Sequence, residues 1–254
     1  MPWNPEQYLA FGELRQRPAA DLLAAIPLVN PATVLDLGCG PGNVTALLHQ
    51  RWPQALLTGV DRSAEMLARA AADYPEIAWL QADLACWCPP SGTDLIYSNA
   101  VLHWLDDHPR LFPRLVDSLA PGGVLAVQMP DNFASPSHLC AAEAARAGPW
   151  RARLAPLLRP APVLAAEAYY DLLAPRVRRV DIWRTDYLQV LAGDNPVATW
   201  LRGSLLVPLL EALEEPDQVA FEADFRRRVA AAHPPREDGL TLFPFRRLFM
   251  VAVK

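Results

Sequence analysis

The sequence predicts a doubly wound α/β fold: a mostly parallel, seven-stranded sheet with helices on both faces and a helical cap inserted in the C-terminal half. Three observations lead there. Short apolar runs alternate with helical stretches from residue 33 to residue 129. The first run, TVLDL, leads directly into the glycines of GCGPG. Three aspartates, Asp36, Asp61 and Asp83, fall at the carboxyl ends of the first three runs, where open α/β sheets bind their ligands.

Each element follows from local pattern. Thr33–Leu37 is a β-branched apolar run, the composition of a strand buried on both faces. A helix is expected over Asn43–Arg51, with Val44, Leu47 and Leu48 on one face. Leu56–Val60 reads as a second strand, and Ser63 can cap a helix over Ala64–Ala72. Ile77–Leu80 and Asp94–Ser98 are the third and fourth strands, and a helix is expected through Leu111–Leu119. The Pro121-Gly122-Gly123 turn then leads into a fifth strand, Val124–Met129. Beyond Pro130 the pattern loosens into Ala- and Pro-rich chain with helical pieces around His138–Ala147 and Val163–Leu173. Val180–Leu188 alternates as a strand, residues 195–233 look helical, and Phe243–Val253 is the last strand. Strand-like segments flank the late helices, so the chain 1–254 reads as one domain with cap segments at 131–176 and 195–235.

Composition bounds the function. The 254 residues are 52% hydrophobic and 20% charged, the balance of a folded globule. No apolar run reaches the roughly 18 residues of a membrane span. The N-terminus lacks the pattern of a signal peptide, so a cytoplasmic protein is expected. A net charge of −5 argues against a nucleic-acid-binding surface. Cys39, Cys86, Cys88 and Cys140 fit a reducing compartment, and their spacing predicts no metal site. Of the 23 cationic side chains only Lys254 is not arginine, and arginine can fork onto carboxylates. Oligomeric state leaves no signal in the sequence.

The chemistry begins at DLGCGPGN, residues 36–43. A strand running into glycines and then a helix brings backbone N–H groups close to a ligand. The spacing is G-x-G-x-G, not the G-x-G-x-x-G of dinucleotide binders. Asp36, two residues before the first glycine, would repel a pyrophosphate and attract a positive amino group. Asp61 follows Gly40 by 21 residues, where an acid accepts ribose hydroxyls. Asp83 lies one strand further along, within reach of an adenine amino group.

Together DLGCGPGN, GVDRSAEML, QADL and LAPGGVLAVQMP resemble the class I S-adenosylmethionine-dependent methyltransferases. A narrower resemblance spans the chain through WNPEQYL, RPAADLL, YSNAVLHWL, LFPRL, QMPDN, YYDLL, VDIWRT and RLFMVAV. It is to the enzymes that esterify one carboxylate of trans-aconitate, a small tricarboxylate. The resemblance implies that Asp36, Gly38 and Gly40 hold the methionine end of S-adenosylmethionine. Asp61 takes the ribose, Arg62 and Met66 flank the adenine, and Asp83 and Leu84 meet its edge. Asn99 and His103 line the sulfonium side.

A tricarboxylate needs cations, and Arg17, Arg184 and Arg247 are the candidates, with Tyr8, Gln128 and Tyr170 as further donors. Asn132 and Tyr169 are weaker ones. Trp183 and Arg184 point to opposite faces of their strand, as do Arg246 and Arg247, so one of each pair faces a pocket. No catalytic base is expected, because a carboxylate arrives ionised; His103 positions. Rival readings are a phenol, amine or other acid as acceptor, a non-catalytic S-adenosylmethionine-binding protein, and, least supported, a dehydrogenase.

Overall fold

A computed structural model describes residues 12–158 and 161–254. In chain order the main elements are α1 (Gly12–Ala24), β1 (Thr33–Leu37), α2 (Asn43–Arg51), β2 (Leu56–Asp61), α3 (Ala64–Asp73), β3 (Ala78–Gln81) and β4 (Thr93–Asn99). A 3-10 turn at Leu102–Trp104 precedes α4 (His108–Asp117) and β5 (Leu119–Pro130). Then come α5 (Pro136–Ala147), α6 (Arg151–Leu154), α7 (Ala166–Leu173), β6 (Arg179–Leu191), α8 (Pro196–Arg202), α9 (Val207–Glu211), α10 (Asp217–Ala232) and β7 (Thr241–Val253).

The sheet has seven strands in the order β3-β2-β1-β4-β5-β7-β6. From β3 to β5 neighbouring strands pair in parallel, and β7 runs antiparallel to β5. The reversal between the first and fourth strands opens a crevice at their carboxyl ends. Val34, Leu35 and Leu37 are all buried, as a strand covered on both faces requires. Ser63 caps α3 as expected, accepting from the Met66 N–H at 3.3 Å.

Several boundaries differ from the sequence reading, and β5 begins at Leu119, so the expected Pro121-Gly122-Gly123 turn lies within the strand. The helix expected through Leu119 stops at Asp117, because Ser118 turns the chain and Leu119 already pairs with Thr93 in the sheet. Residues 195–233 form three helices, with Gly203 closing the first and Pro216 preceding the third. The chain also separates into two compact units. Among the described residues, one comprises 16–130, 162–185 and 247–254; the other comprises 12–15, 131–158, 161 and 186–246. Residues 162–176, expected with the cap, therefore cluster with the parallel strands. The second unit has its own aromatic core, in which Trp150 meets Phe221 edge-on at 5.7 Å and Trp200 packs against Phe243 and Phe245.

Candidate active site

The glycine loop starts where β1 ends. The Gly38 and Cys39 N–H groups both donate to the Val60 carbonyl, at 2.7 and 3.1 Å, which bends the chain over the end of β2. A side chain at Gly38 would collide with Val101, 2.3 Å from its nearest methyl carbon. Gly40 differs: at φ +53° it faces open space, with no atom within 4 Å of where a Cβ would stand. Backbone exposed in this way suits close approach by a ligand.

Asp61 braces this loop. One carboxylate oxygen accepts from the Gly40 N–H at 3.0 Å and the other from the Ser63 N–H at 2.9 Å. A carboxylate offers about four acceptor positions, so two remain for ligand hydroxyls. Arg62 is exposed and Met66 half-buried on the first turn of α3. Asp83 is exposed and caps its own turn, accepting from the Ala85 N–H at 2.9 Å. Leu84 is buried, and its carbonyl accepts from Arg114 at 2.9 Å.

Asp36 lies deeper than the sequence implied. It is 2% exposed, and its carboxylate accepts from the Thr45 hydroxyl at 2.6 Å. Burial pushes its pKa up to about 7, the Thr45 bond works against that shift, and the Asp61 charge adds to it. Thr45 was not singled out in the sequence. Its first-turn position on α2 is legible, but its inward orientation is not.

This acid has a testable consequence for stability. Unfolded, Asp36 releases its proton near 3.8; folded, it keeps it to about 7. The folded state therefore binds the extra proton, and stability falls as pH rises from about 4 to about 7. The whole shift amounts to about 4 kcal/mol at most. Asp36→Asn is expected to raise the unfolding free energy at pH 8 and to leave it little changed at pH 4. Denaturation curves for both proteins at the two pH values check this, and an equal difference at both would contradict it.

Asn99, the last residue of β4, stands opposite Gln128 of β5 in register. Asn99 Oδ1 is buried and accepts no hydrogen bond. Between Asn99 and Val101 the chain turns through Ala100 at φ +58°, a conformation costly for a residue with a Cβ. The Ala100 N–H still reaches the Gln128 carbonyl at 2.9 Å. His103 is buried in the 3-10 turn beside Trp104, ring centroids 4.8 Å apart.

The arginine candidates separate. Arg247 is 6% exposed, and its Nη1 donates to Gln128 Oε1 at 3.2 Å. That bond fixes the Gln128 amide, leaving Nε2 buried as a donor with no acceptor. Its neighbour Arg246 is the outward residue of the pair and meets Asp186 at 2.9 Å. On β6, Trp183 stacks on Phe249, with centroids 4.9 Å apart and planes at 7°, and Arg184 is exposed. Arg17 is exposed on α1, and Tyr170 is 55% exposed. Tyr8 lies outside the described residues. Tyr169 is fully buried with its hydroxyl 2.6 Å from His108, so it does not present that hydroxyl to a crevice. In the second unit Asn132 is buried, and neither amide atom has a partner among the described residues.

Among the described residues no group of three or more His, Cys, Asp or Glu side chains could hold a metal, and no helix is long and apolar enough to cross a membrane. A family model described as a methyltransferase domain matches residues 11–180. A trans-aconitate 2-methyltransferase of Azoarcus sp. (strain BH72) is 53% identical over 252 residues, covering 99% of each chain. The enzyme of that name from Rhodopseudomonas palustris (strain BisB18) is 48% identical over 253 residues, again 99% of each. Among solved structures, the YcgJ protein of Bacillus subtilis superposes with a TM-score of 0.61 at 12% identity, covering 94% of this chain and 98% of that one. Haemonchus contortus phosphoethanolamine N-methyltransferase 2, solved with S-adenosylhomocysteine, gives 0.56 at 15% identity, covering 94% of this chain and 52% of that one.

Proposed function

The chain belongs to the trans-aconitate 2-methyltransferases, a family of S-adenosylmethionine-dependent methyltransferases, and from that membership we propose how its own residues divide the reaction. The enzyme transfers a methyl group to one carboxylate of trans-aconitate and forms a monomethyl ester. Its four cysteines are free thiols, which supports a cytoplasmic setting.

S-adenosylmethionine supplies an electrophilic methyl on a positively charged sulfur. The open backbone at Gly40 and the spare acceptor positions of Asp61 fit such a group, the second at its ribose. Asp36, Gly38 and Gly40 hold its methionine end, Arg62 and Met66 flank the adenine, and Asp83 and Leu84 meet the adenine edge. A buried Asp36 gains when a ligand ammonium comes near it, so cofactor affinity should strengthen as pH rises through about 7. Asn99 and His103 line the reacting side.

The observation that carries the acceptor assignment is the Arg247–Gln128 pair. A buried guanidinium and a buried amide N–H awaiting an acceptor together form a receptor for a carboxylate. Arg17, Arg184 and Tyr170 are too exposed to desolvate a carboxylate; the two arginines raise the local attraction for a trianion approaching a protein of net charge −5.

No residue is assigned as a base. A carboxylate with a pKa near 4 is ionised at neutral pH, so alignment and exclusion of water supply most of the acceleration. At saturating cofactor and acceptor, kcat should be flat between about pH 6.5 and 9, a range reaching well above the ordinary histidine pKa. His103→Gln should lower kcat about ten-fold and keep it flat. A limb near pH 6.5 that vanishes in His103→Gln would overturn the assignment. Assaying methyl ester formation with trans-aconitate, its diester with one free carboxylate, and phenol and amine acceptors tests the acceptor class.

A further inference from the structure

We propose that His108 and Tyr169 are positioning residues that act through His103, by anchoring the 3-10 turn that carries it. The proposal rests on the reading of His103 given above. Tyr169 was first read as a substrate donor, and its burial leaves the hydroxyl another task.

The chain of contacts is short and buried throughout. Tyr169 on α7 lies 2.6 Å from His108 Nδ1, and His108 Nε2 lies 2.9 Å from the Leu102 carbonyl. A carbonyl only accepts, so Nε2 carries the proton and donates to it. The neutral ring with that tautomer leaves Nδ1 as an acceptor for the Tyr169 hydroxyl. The same hydroxyl oxygen accepts the Leu164 N–H at 3.2 Å, which is consistent with this direction. Phe112 packs against both rings, with centroids 5.3 Å from His108 and 4.8 Å from Tyr169, and so limits their rotation.

Leu102 immediately precedes His103. On the same turn Val101 fills the space beside Gly38. His103 is thus flanked by one anchor to the glycine loop and one, through His108, to the α4–α7 pair. A three-residue 3-10 turn has little rigidity of its own. Its backbone position, and with it the direction of the His103 ring, depends in part on those two anchors. Displacement by about an ångström at such a position can cost up to two orders of magnitude in rate without loss of binding.

A double-mutant cycle on the full-length enzyme tests this, using His103→Gln as the second mutation. Tyr169→Phe removes the hydroxyl and keeps the packing. It is expected to lower kcat about five-fold with KM for cofactor and acceptor unchanged within about two-fold. In the His103→Gln background it should lower kcat no further. Equal fold losses in both backgrounds would mean a merely structural role and would overturn the proposal, as would wild-type kcat in Tyr169→Phe. If His103→Gln leaves kcat unchanged while Tyr169→Phe lowers it, the reading of His103 is what fails. A second pair of variants decides the matter if Tyr169→Phe does not fold. His108→Gln keeps an N–H for the Leu102 carbonyl and should retain kcat within about two-fold, whereas His108→Leu should lose about five-fold. Equal activity in those two variants would also overturn the proposal.

Discussion

Arg247→Ala is expected to lower kcat/KM for trans-aconitate by about two to three orders of magnitude. Truncating one member of a buried charge pair leaves the other uncompensated, at a cost of about 3–5 kcal/mol. Here the member left behind is a substrate carboxylate. The Gln128 amide, held by its 3.2 Å bond from Arg247, loses that tether as well. Arg247→Lys keeps the charge but not the fork, and should fall between the variant and wild type. Arg17→Ala and Arg184→Ala, at exposed positions, should stay within about three-fold of wild type. Steady-state kinetics with trans-aconitate decide it: near wild-type kcat/KM in Arg247→Ala would remove the Arg247–Gln128 pair as the acceptor site.

Asp61→Ala should weaken S-adenosylmethionine by about ten-fold or more, because each hydrogen bond to a charged group contributes about 1.5–3 kcal/mol. The carboxylate also bonds the Gly40 and Ser63 N–H groups, so the loop loses its brace at the same time. S-adenosylhomocysteine lacks the sulfonium charge and shares the ribose, so calorimetry with both ligands isolates the cause. Equal losses support the ribose contact. A loss confined to the charged ligand would instead make Asp61 a distant counter-charge, and wild-type affinity for both would end the assignment.

The framework of strands and glycine turn was largely legible because its signals are local. A strand buried on both faces, a glycine turn and an acid at a strand end each leave a mark within a few residues, and β1 and α2 fall where the pattern put them. Asp36 shows the limit. Its place at a strand end was legible, but its burial and its bond from Thr45 were not. The arginines show another. Alternation along β6 and β7 tells that neighbouring side chains oppose each other, while only the order of strands tells which face is interior. Tyr169 was misread because nothing near it in sequence announces His108. The same long-range packing groups residues 162–176 with the parallel strands.

Gln128 and Arg247 stand 119 positions apart in sequence, whereas the residues assigned to the cofactor lie in one uninterrupted stretch from Asp36 to His103. That division makes the two halves of the site separately heritable. A lineage can keep the cofactor stretch intact while one codon at the end of β5, or one in β7, changes the acceptor. Drift in acceptor preference therefore need not pass through ancestors that have lost the methyl donor. Conversely, a transplanted Asp36–His103 segment would carry the donor's half of the reaction and leave the acceptor's half behind.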